Sequence, residues 1–229
     1  AAGSGLSSHE LNQPGAYKNI SDTSIIAQFK CVQDGLSDEL KPLFPFFFLA
    51  WTTTPWTLPS NTALTVGLSI RYSFIKTYNQ YTNKPITVVL AKDLIKNVFS
   101  KNYIEVNSPN ELQKFDGDSK KIPYLICQTI KGKDLTGLKY EQIWEESPAP
   151  VDNPENAFRV IAGDFVTTDG GTGIVHTAPT FGMDDYRVAL NATPPVPALL
   201  CFDDKGNKVP LVDLQGKFVD KIGRLSAKF

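Results

Sequence analysis

The residues with the most chemistry to offer fall in two clusters. The first is Trp51-Thr52-Thr53-Thr54-Pro55-Trp56-Thr57-Leu58-Pro59-Ser60-Asn61. Pro55 and Pro59 each remove a backbone donor and bias Thr54 and Leu58 away from helix. Consecutive threonines favour extended backbone through their branched Cβ atoms. Together these features predict a rigid, hydroxyl-lined loop that holds several oxygens and amides in place around a small polar group. An edge strand with its threonines in solvent would use the same residues. The second cluster is Asp169-Gly170-Gly171-Thr172-Gly173-Ile174-Val175-His176-Thr177-Ala178-Pro179, continuing through Phe181-Gly182-Met183-Asp184-Asp185-Tyr186. His176 ends a buried strand, where an imidazole is either a satisfied structural group or, titrating near neutral pH, a general base. Asp185 is either a carboxylate that grips a cation or a second capping residue beside Asp184 at a helix start. Gly170, Gly171 and Gly173 permit positive φ and close backbone approach, either for a hairpin turn or for an amide-lined seat. No helix directly follows the Gly-Gly-x-Gly, which argues against a phosphate-binding loop.

Short strands must position these clusters. The apolar run Phe46-Phe47-Phe48-Leu49-Ala50 reads as a buried strand delivering the threonine loop. Other strands are expected over 24–32, 63–67, 124–130, 158–166 and 209–212, with a hairpin joining 71–77 to 85–91. A helix is expected over 92–102, where Leu94, Ile95, Val98 and Phe99 share one face, and a second over 184–191, stopped by Thr193-Pro194-Pro195. The segments 108–121 and 145–156 read as polar surface excursions. Many short strands, few helices and no strand–helix–strand alternation give a β-rich class, a barrel with peripheral helices.

Composition narrows the partners. The 229 residues suit a single domain over 6–229, behind an Ala-Ala-Gly-Ser-Gly stretch at 1–5 that reads as an expression scar. A hydrophobic content of 41% with 11% aromatics supports a substantial core. The formal net charge of −1 excludes a global basic field for nucleic acid, so any RNA contact would be local. Cys31, Cys127 and Cys201 form no Cys-x-x-Cys pair, and the only imidazoles are His9 and His176. Neither a metal site nor a cofactor is expected, and buried free thiols in a reducing compartment are. There is no run of the roughly eighteen apolar residues that a membrane span needs, and no signal peptide.

Taken together, the Trp-Thr-Thr-Thr-Pro-Trp-Thr-Leu-Pro-x-Asn block and the Gly-Thr-Gly-x-Val-His-x-Ala-Pro-x-Phe-Gly-x-x-Asp block resemble the signature of one family. It is the editing domain of isoleucyl-tRNA synthetase, the insertion in the class I catalytic core known as connective peptide 1. Leucyl and valyl relatives usually carry Thr-Thr-Arg-Pro followed by an acidic residue, so Thr54 and Trp56 point to the isoleucine enzyme. The resemblance implies a distorted β-barrel with peripheral helices. The activity it implies is hydrolysis of valyl-tRNA(Ile) made in error, in the cytoplasm and as a monomer, with the tRNA acceptor end and the rest of the synthetase as partners. The His-Ile-Gly-His and Lys-Met-Ser-Lys-Ser signatures of the synthetic core are absent, so an excised piece without amino-acid activation is expected. A non-catalytic barrel that binds the acceptor end is the competing expectation.

The resemblance also assigns roles. Asp185 would bind the amino group of the substrate, and His176 would line the side-chain pocket and exclude the larger isoleucine. The remaining roles are read from the residue types and not from the family: Thr53 and Thr54 would orient water, ester and ribose by hydrogen bonds, with Thr52 contributing hydroxyl and amide and Thr54 narrowing the pocket. Asn61 would fix the loop or contact substrate. Trp56 would be a pocket wall or a core plug, and Gly173 would belong to the turn or to the adenosine seat.

Overall fold

A computed structural model describes residues 23–220 and 222–228. The stretch at 1–5 and the entry segment that follows it lie outside the described residues. The strands are β1 Ile25–Lys30, β2 Phe47–Thr52, β3 Ala63–Val66, β4 Arg71–Tyr78, β5 Pro85–Ala91, β6 Tyr103–Glu105, β7 Ile122–Lys131, β8 Arg159–Ala162, β9 Ile174–Thr177, β10 Leu200–Phe202 and β11 Lys208–Pro210. The α-helices are α1 Ile95–Val98, α2 Pro109–Leu112 and α3 Met183–Asn191. No helix among the described residues is long and apolar enough to cross a membrane.

A six-stranded sheet runs in the order β1-β2-β5-β4-β7-β6, beside a three-stranded sheet β8-β3-β9 and a β10-β11 hairpin. The central strands are buried on both faces. Along β2, Phe48 and Ala50 enter one apolar layer while Leu49 enters the other. On β4 the alternation sends Tyr72 and Phe74 into the first layer and Ile75 into the second, and on β5 it separates Val89 and Ala91 from Val88 and Leu90. Two-sided burial is why the 46–50 run reads as unbroken apolar sequence. The first layer also takes Leu64, Val66, Val160 and Ile174, so the small sheet closes over the large one. Ile95, Phe99 and Tyr124 cover the second layer.

Backbone hydrogen bonds make this arrangement a distorted barrel. They lead from β9 to β3 to β8. The 137–141 segment then joins β8 to β1, through Val160 N to Leu138 O (2.8 Å) on one side and Val32 N to Lys139 O (2.8 Å) on the other. From β1 the path crosses β2 to β5 and returns through Ala91 N to Thr172 O (2.8 Å), just ahead of β9. Two of its joints are isolated bridges, Cys31–Tyr140 and Lys139–Arg159, in place of full ladders.

Several expectations need correction. The helix over 92–102 is a 3-10 turn, Lys92–Leu94, followed by the single α-turn α1. Its apolar face packs as expected, but the Phe99 ring wedges against Tyr103 and Tyr124, each at 4.9 Å between centroids, and the chain leaves the helix there. The excursion over 108–121 contains α2, whose first turn Ser108 caps by accepting from Glu111 N (3.3 Å). Strands β6 and β10 have three residues each, too few for periodicity to reveal. The N-cap of α3 is Gly182, with Asp184 and Asp185 both inside the first turn. Cys31 and Cys201 are buried, but Cys127 is exposed.

Candidate active site

Where β2 ends, the buried Thr52 turns the chain with its own hydroxyl. Its Oγ1 accepts from Thr54 N at 3.0 Å and lies 3.3 Å from Thr54 Oγ1. Thr53 and Thr54 are exposed. Pro55–Ser60 then forms a 3-10 turn. Pro55 enters it at no cost in hydrogen bonding, because the first amides of a helical turn lack partners anyway. Thr57 secures the turn twice over, its N and Oγ1 both donating to Thr54 O at 3.1 and 2.8 Å. The threonine segment is thus both a strand end and a rigid loop.

Behind this loop lies His176, on β9 opposite Leu64 of β3 and only 8% exposed. Its Nε2 is 2.9 Å from Thr57 Oγ1 and its Nδ1 is 2.8 Å from Asn61 Nδ2. The tautomer follows from the partners. Asn61 Nδ2 also donates to the Ala63 carbonyl at 2.8 Å, while Asn61 Oδ1 accepts from the Tyr140 hydroxyl at 2.6 Å. The amide nitrogen therefore faces Nδ1, which must accept, and the proton sits on Nε2, donated to Thr57. Burial pushes the imidazole pKa down to about 4. A protonated ring would in addition aim an N–H at the Asn61 amide nitrogen. Held neutral with both nitrogens engaged, His176 cannot serve as a general base and acts as a strut.

Asp185 occupies the first turn of α3, half-buried, and its Oδ2 accepts from Ala178 N at 2.9 Å. No cation among the described residues pairs with it. The salt bridge on this helix runs instead from Arg187 to Asp184, at 3.8 Å. Burial raises the Asp185 pKa, the Ala178 amide works against that rise, and the neighbouring charge of Asp184 adds to it. Gly182 permits this placement, since a Cβ there would lie 2.8 Å from Asp185 Cγ. Nearby, Trp56 meets Phe181 edge to face at 5.0 Å, and Trp51 packs over Gly171. Trp56 is 47% exposed, so it forms a rim and not a core plug.

No family model matches the chain. The isoleucine–tRNA ligase of Cytophaga hutchinsonii is 50% identical over all of the chain. Those of Porphyromonas gingivalis and Clostridium tetani are 50% and 37% identical over 95% of it. The chain is homologous to one segment of the isoleucine–tRNA ligases. It spans about a fifth of these relatives' length, 19%, 18% and 16% respectively. Among solved structures, GlLeuRS-CP1 overlaps 74% of this chain and 59% of its own, with 17% identity and a TM-score of 0.48. The P. falciparum cytosolic leucyl-tRNA synthetase editing domain overlaps 71% and 63%, with 12% identity and a TM-score of 0.49.

In this isoleucine–tRNA ligase segment the two clusters meet. Thr52, Thr54, Thr57, Asn61 and His176 share one hydrogen-bonded unit; Trp56, inside the same loop, meets Phe181, and Asp185 is tied to Ala178, two residues past His176. Asn61, 2% exposed, fixes the loop and does not face solvent. Gly173 is set apart from the unit. Its φ is +72°, a Cβ there would lie 2.4 Å from the Ala91 Cβ, and its carbonyl accepts from the buried Tyr72 hydroxyl at 2.7 Å. It is a packing residue of the core. An open cavity of about 790 Å³ lies along another face of α3, lined in part by Asp184 and Arg187 but not by Asp185. Thr57, Tyr140, Phe181 and Gly182 were missed as site residues by sequence reasoning. Thr57 stood inside the first cluster, whereas no local signal singles out Tyr140.

Proposed function

We propose that this segment hydrolyses the ester of valyl-tRNA(Ile) at the terminal adenosine, acting as the editing domain of a cytoplasmic synthetase chain. The observation that supports this reading is the hydrogen bonding of the threonine loop to His176, on the segment that leads to Asp185, a half-buried carboxylate with no cation partner among the described residues. A synthetic pocket gains only about 1–3 kcal/mol from one methylene, a general limit for which isoleucine against valine is the standard illustration, so a second site is needed. Here Asp185 would hold the α-ammonium of the amino acid through a charge-assisted hydrogen bond, leaving its Oδ2 on Ala178 N. Thr53 and Thr54 would orient the attacking water, the ester and the ribose, and Trp56 would wall the site. Threonine nucleophiles require a base, and the only nearby imidazole among the described residues has both nitrogens engaged. A positioned water is therefore the attacking group, and the size limit is set by the loop that His176 braces.

The test is deacylation of valyl- and isoleucyl-tRNA(Ile) by the chain and by two variants. Asp185→Asn keeps an acceptor for Ala178 N but loses the charge, and Asp185→Ala loses both. A fall of about 10- to 100-fold in Asp185→Asn at unchanged stability is expected for a lost charged hydrogen bond. Near wild-type turnover in both variants would remove Asp185 from the reaction. Binding of the acceptor end without turnover by the unaltered chain would leave only the non-catalytic alternative.

A further inference from the structure

A small apolar unit lies apart from the barrel layers, in the chain that follows α3. It gathers Leu199, Leu211 and Ile222, each fully buried, with Cys201 and Phe218 beside them. Among the described residues it takes two rings from earlier in the chain, Trp144 and Phe181. Both lead to the Pro55–Ser60 turn. Phe181 meets the Trp56 ring edge to face at 5.0 Å, and the adjacent Thr180 Oγ1 donates to Leu199 O at 3.1 Å. Trp144 O accepts from Ser147 N at 3.0 Å, and Ser147 Oγ donates to Pro59 O at 3.1 Å. The Arg224 guanidinium covers Trp144 at 5.4 Å from its centroid, while its Nε donates to Glu146 Oε1 at 2.6 Å. The turn is thus held near both ends, at Trp56 and at Pro59, by contacts that lead back to one apolar unit.

We propose that this unit sets the place of the Trp56 ring through Phe181, which makes Phe181 a positioning residue for the size limit of the site. With 47% of Trp56 exposed, the ring contacts that it does make carry its placement. The backbone of Phe181 is fixed by its own amide, which donates to Ala178 O at 2.9 Å, and the packing of its ring is left to the unit. If the Phe181 ring is lost or loosened, the indole swings into the vacated space and the wall retreats from the substrate side chain. A larger side chain then fits. This consequence rests on the editing reading above, in which Trp56 walls the site, whereas the hold on the indole does not.

The test uses the 229-residue chain labelled with 5-fluorotryptophan, in which Trp51, Trp56 and Trp144 give three ¹⁹F resonances, assigned by Trp→Phe replacement. Phe181→Leu removes the ring and should move the Trp56 resonance, while Phe181→Tyr, which keeps a ring, should hold it near its original place. Leu211→Ala loosens the unit from within and should move the Trp56 resonance in the same direction as Phe181→Leu. Both Phe181→Leu and Leu211→Ala should raise cleavage of isoleucyl-tRNA relative to valyl-tRNA by about three- to tenfold in kcat/KM, the scale of one aromatic pair. Most of that change should lie in KM, because a wall meets the bound side chain and not the breaking ester. If Leu211→Ala does not fold, Ile222→Val, a smaller deletion in the same unit, takes its place. An unmoved Trp56 resonance in folded Phe181→Leu overturns the hold. A moved resonance with unchanged ester preference overturns the specificity role. A preference that changes in Phe181→Leu but not in the variant of the unit's interior overturns the part given to the unit. A chain that deacylates neither ester sinks the editing reading and leaves the ¹⁹F result to judge the hold.

Discussion

Acid should destabilise this fold through His176, and the size of the effect can be worked from its surroundings. Burial holds the imidazole pKa at about 4 against an ordinary value of 6.5. Between those values the unfolded chain binds a proton at this position and the folded chain does not. Stability is therefore complete above pH 6.5, declines as the pH falls through the window, and levels off below about 4. At 1.36 kcal/mol per pH unit the full loss amounts to about 3 kcal/mol. For a chain of this length that corresponds to a fall in Tm of about 6–12 °C. Asp185 works in the opposite sense, because its raised pKa favours the folded state in acid and that contribution is lost as the pH rises. Urea melts at pH 7.5, 6.5, 5.5 and 4.5 should therefore be run on both the unaltered chain and His176→Asn. Subtracting the two stability curves removes Asp185 and every other shared group. The difference should shrink toward acid by about 1 kcal/mol per unit below pH 6.5. A difference that stays constant over that range would mean that the ring titrates normally, and would refute the claim that His176 is locked neutral between Asn61 and Thr57.

Two glycine substitutions separate the site from its scaffold. Gly182→Ala should lower valyl-tRNA deacylation while leaving the urea midpoint nearly unchanged. Its φ of −106° suits alanine, but the new Cβ would stand 2.8 Å from Asp185 Cγ and push the carboxylate off Ala178 N. Full activity in that variant would show that the carboxylate's position is not critical. Gly173→Ala should do the reverse and cost about 3 kcal/mol in urea melts, from a positive φ and a Cβ 2.4 Å from that of Ala91. A loss under about 1 kcal/mol would show that β9 can move away from β5 at little cost.

The large strands were legible because their signals are local. Phe46 to Ala50 announces burial by composition, and 71–91 announces a hairpin by alternation around a turn of Asn, Thr and Lys. The extent of the 92–102 helix was not legible, because Phe99 stacks between Tyr103 and Tyr124, a tertiary contact that overrides propensity. Parallel pairing was hidden too. The neighbours β2 and β5, β3 and β8, and β6 and β7 leave no periodic trace of which strand lies beside which. At the site, residue identities pointed to Thr54, His176 and Asp185, but the function of His176 depends on what its two nitrogens touch. Asn61 and Thr57 decide that, and the sequence pattern carries no record of hydrogen bonds between residues 115 and 119 positions apart.

Register explains why residues so distant act as one unit. The loop that begins at Thr52 ends at Asn61, and β3 starts two residues later. β3 then pairs antiparallel with β9, setting Ala63 against Thr177 and Leu64 against His176. Thr62 N extends that ladder to Thr177 O at 3.1 Å, which brings Asn61 beside the imidazole. A slip of one residue would turn His176 to the opposite face of the small sheet, away from both Asn61 and Thr57, because side chains alternate with a period of two. The inward demands of Leu64, Val66 and Ile174 forbid that slip, since it would carry their side chains out of the core. The apolar packing that closes the barrel is thus also what aligns the threonine loop with the segment leading to Asp185.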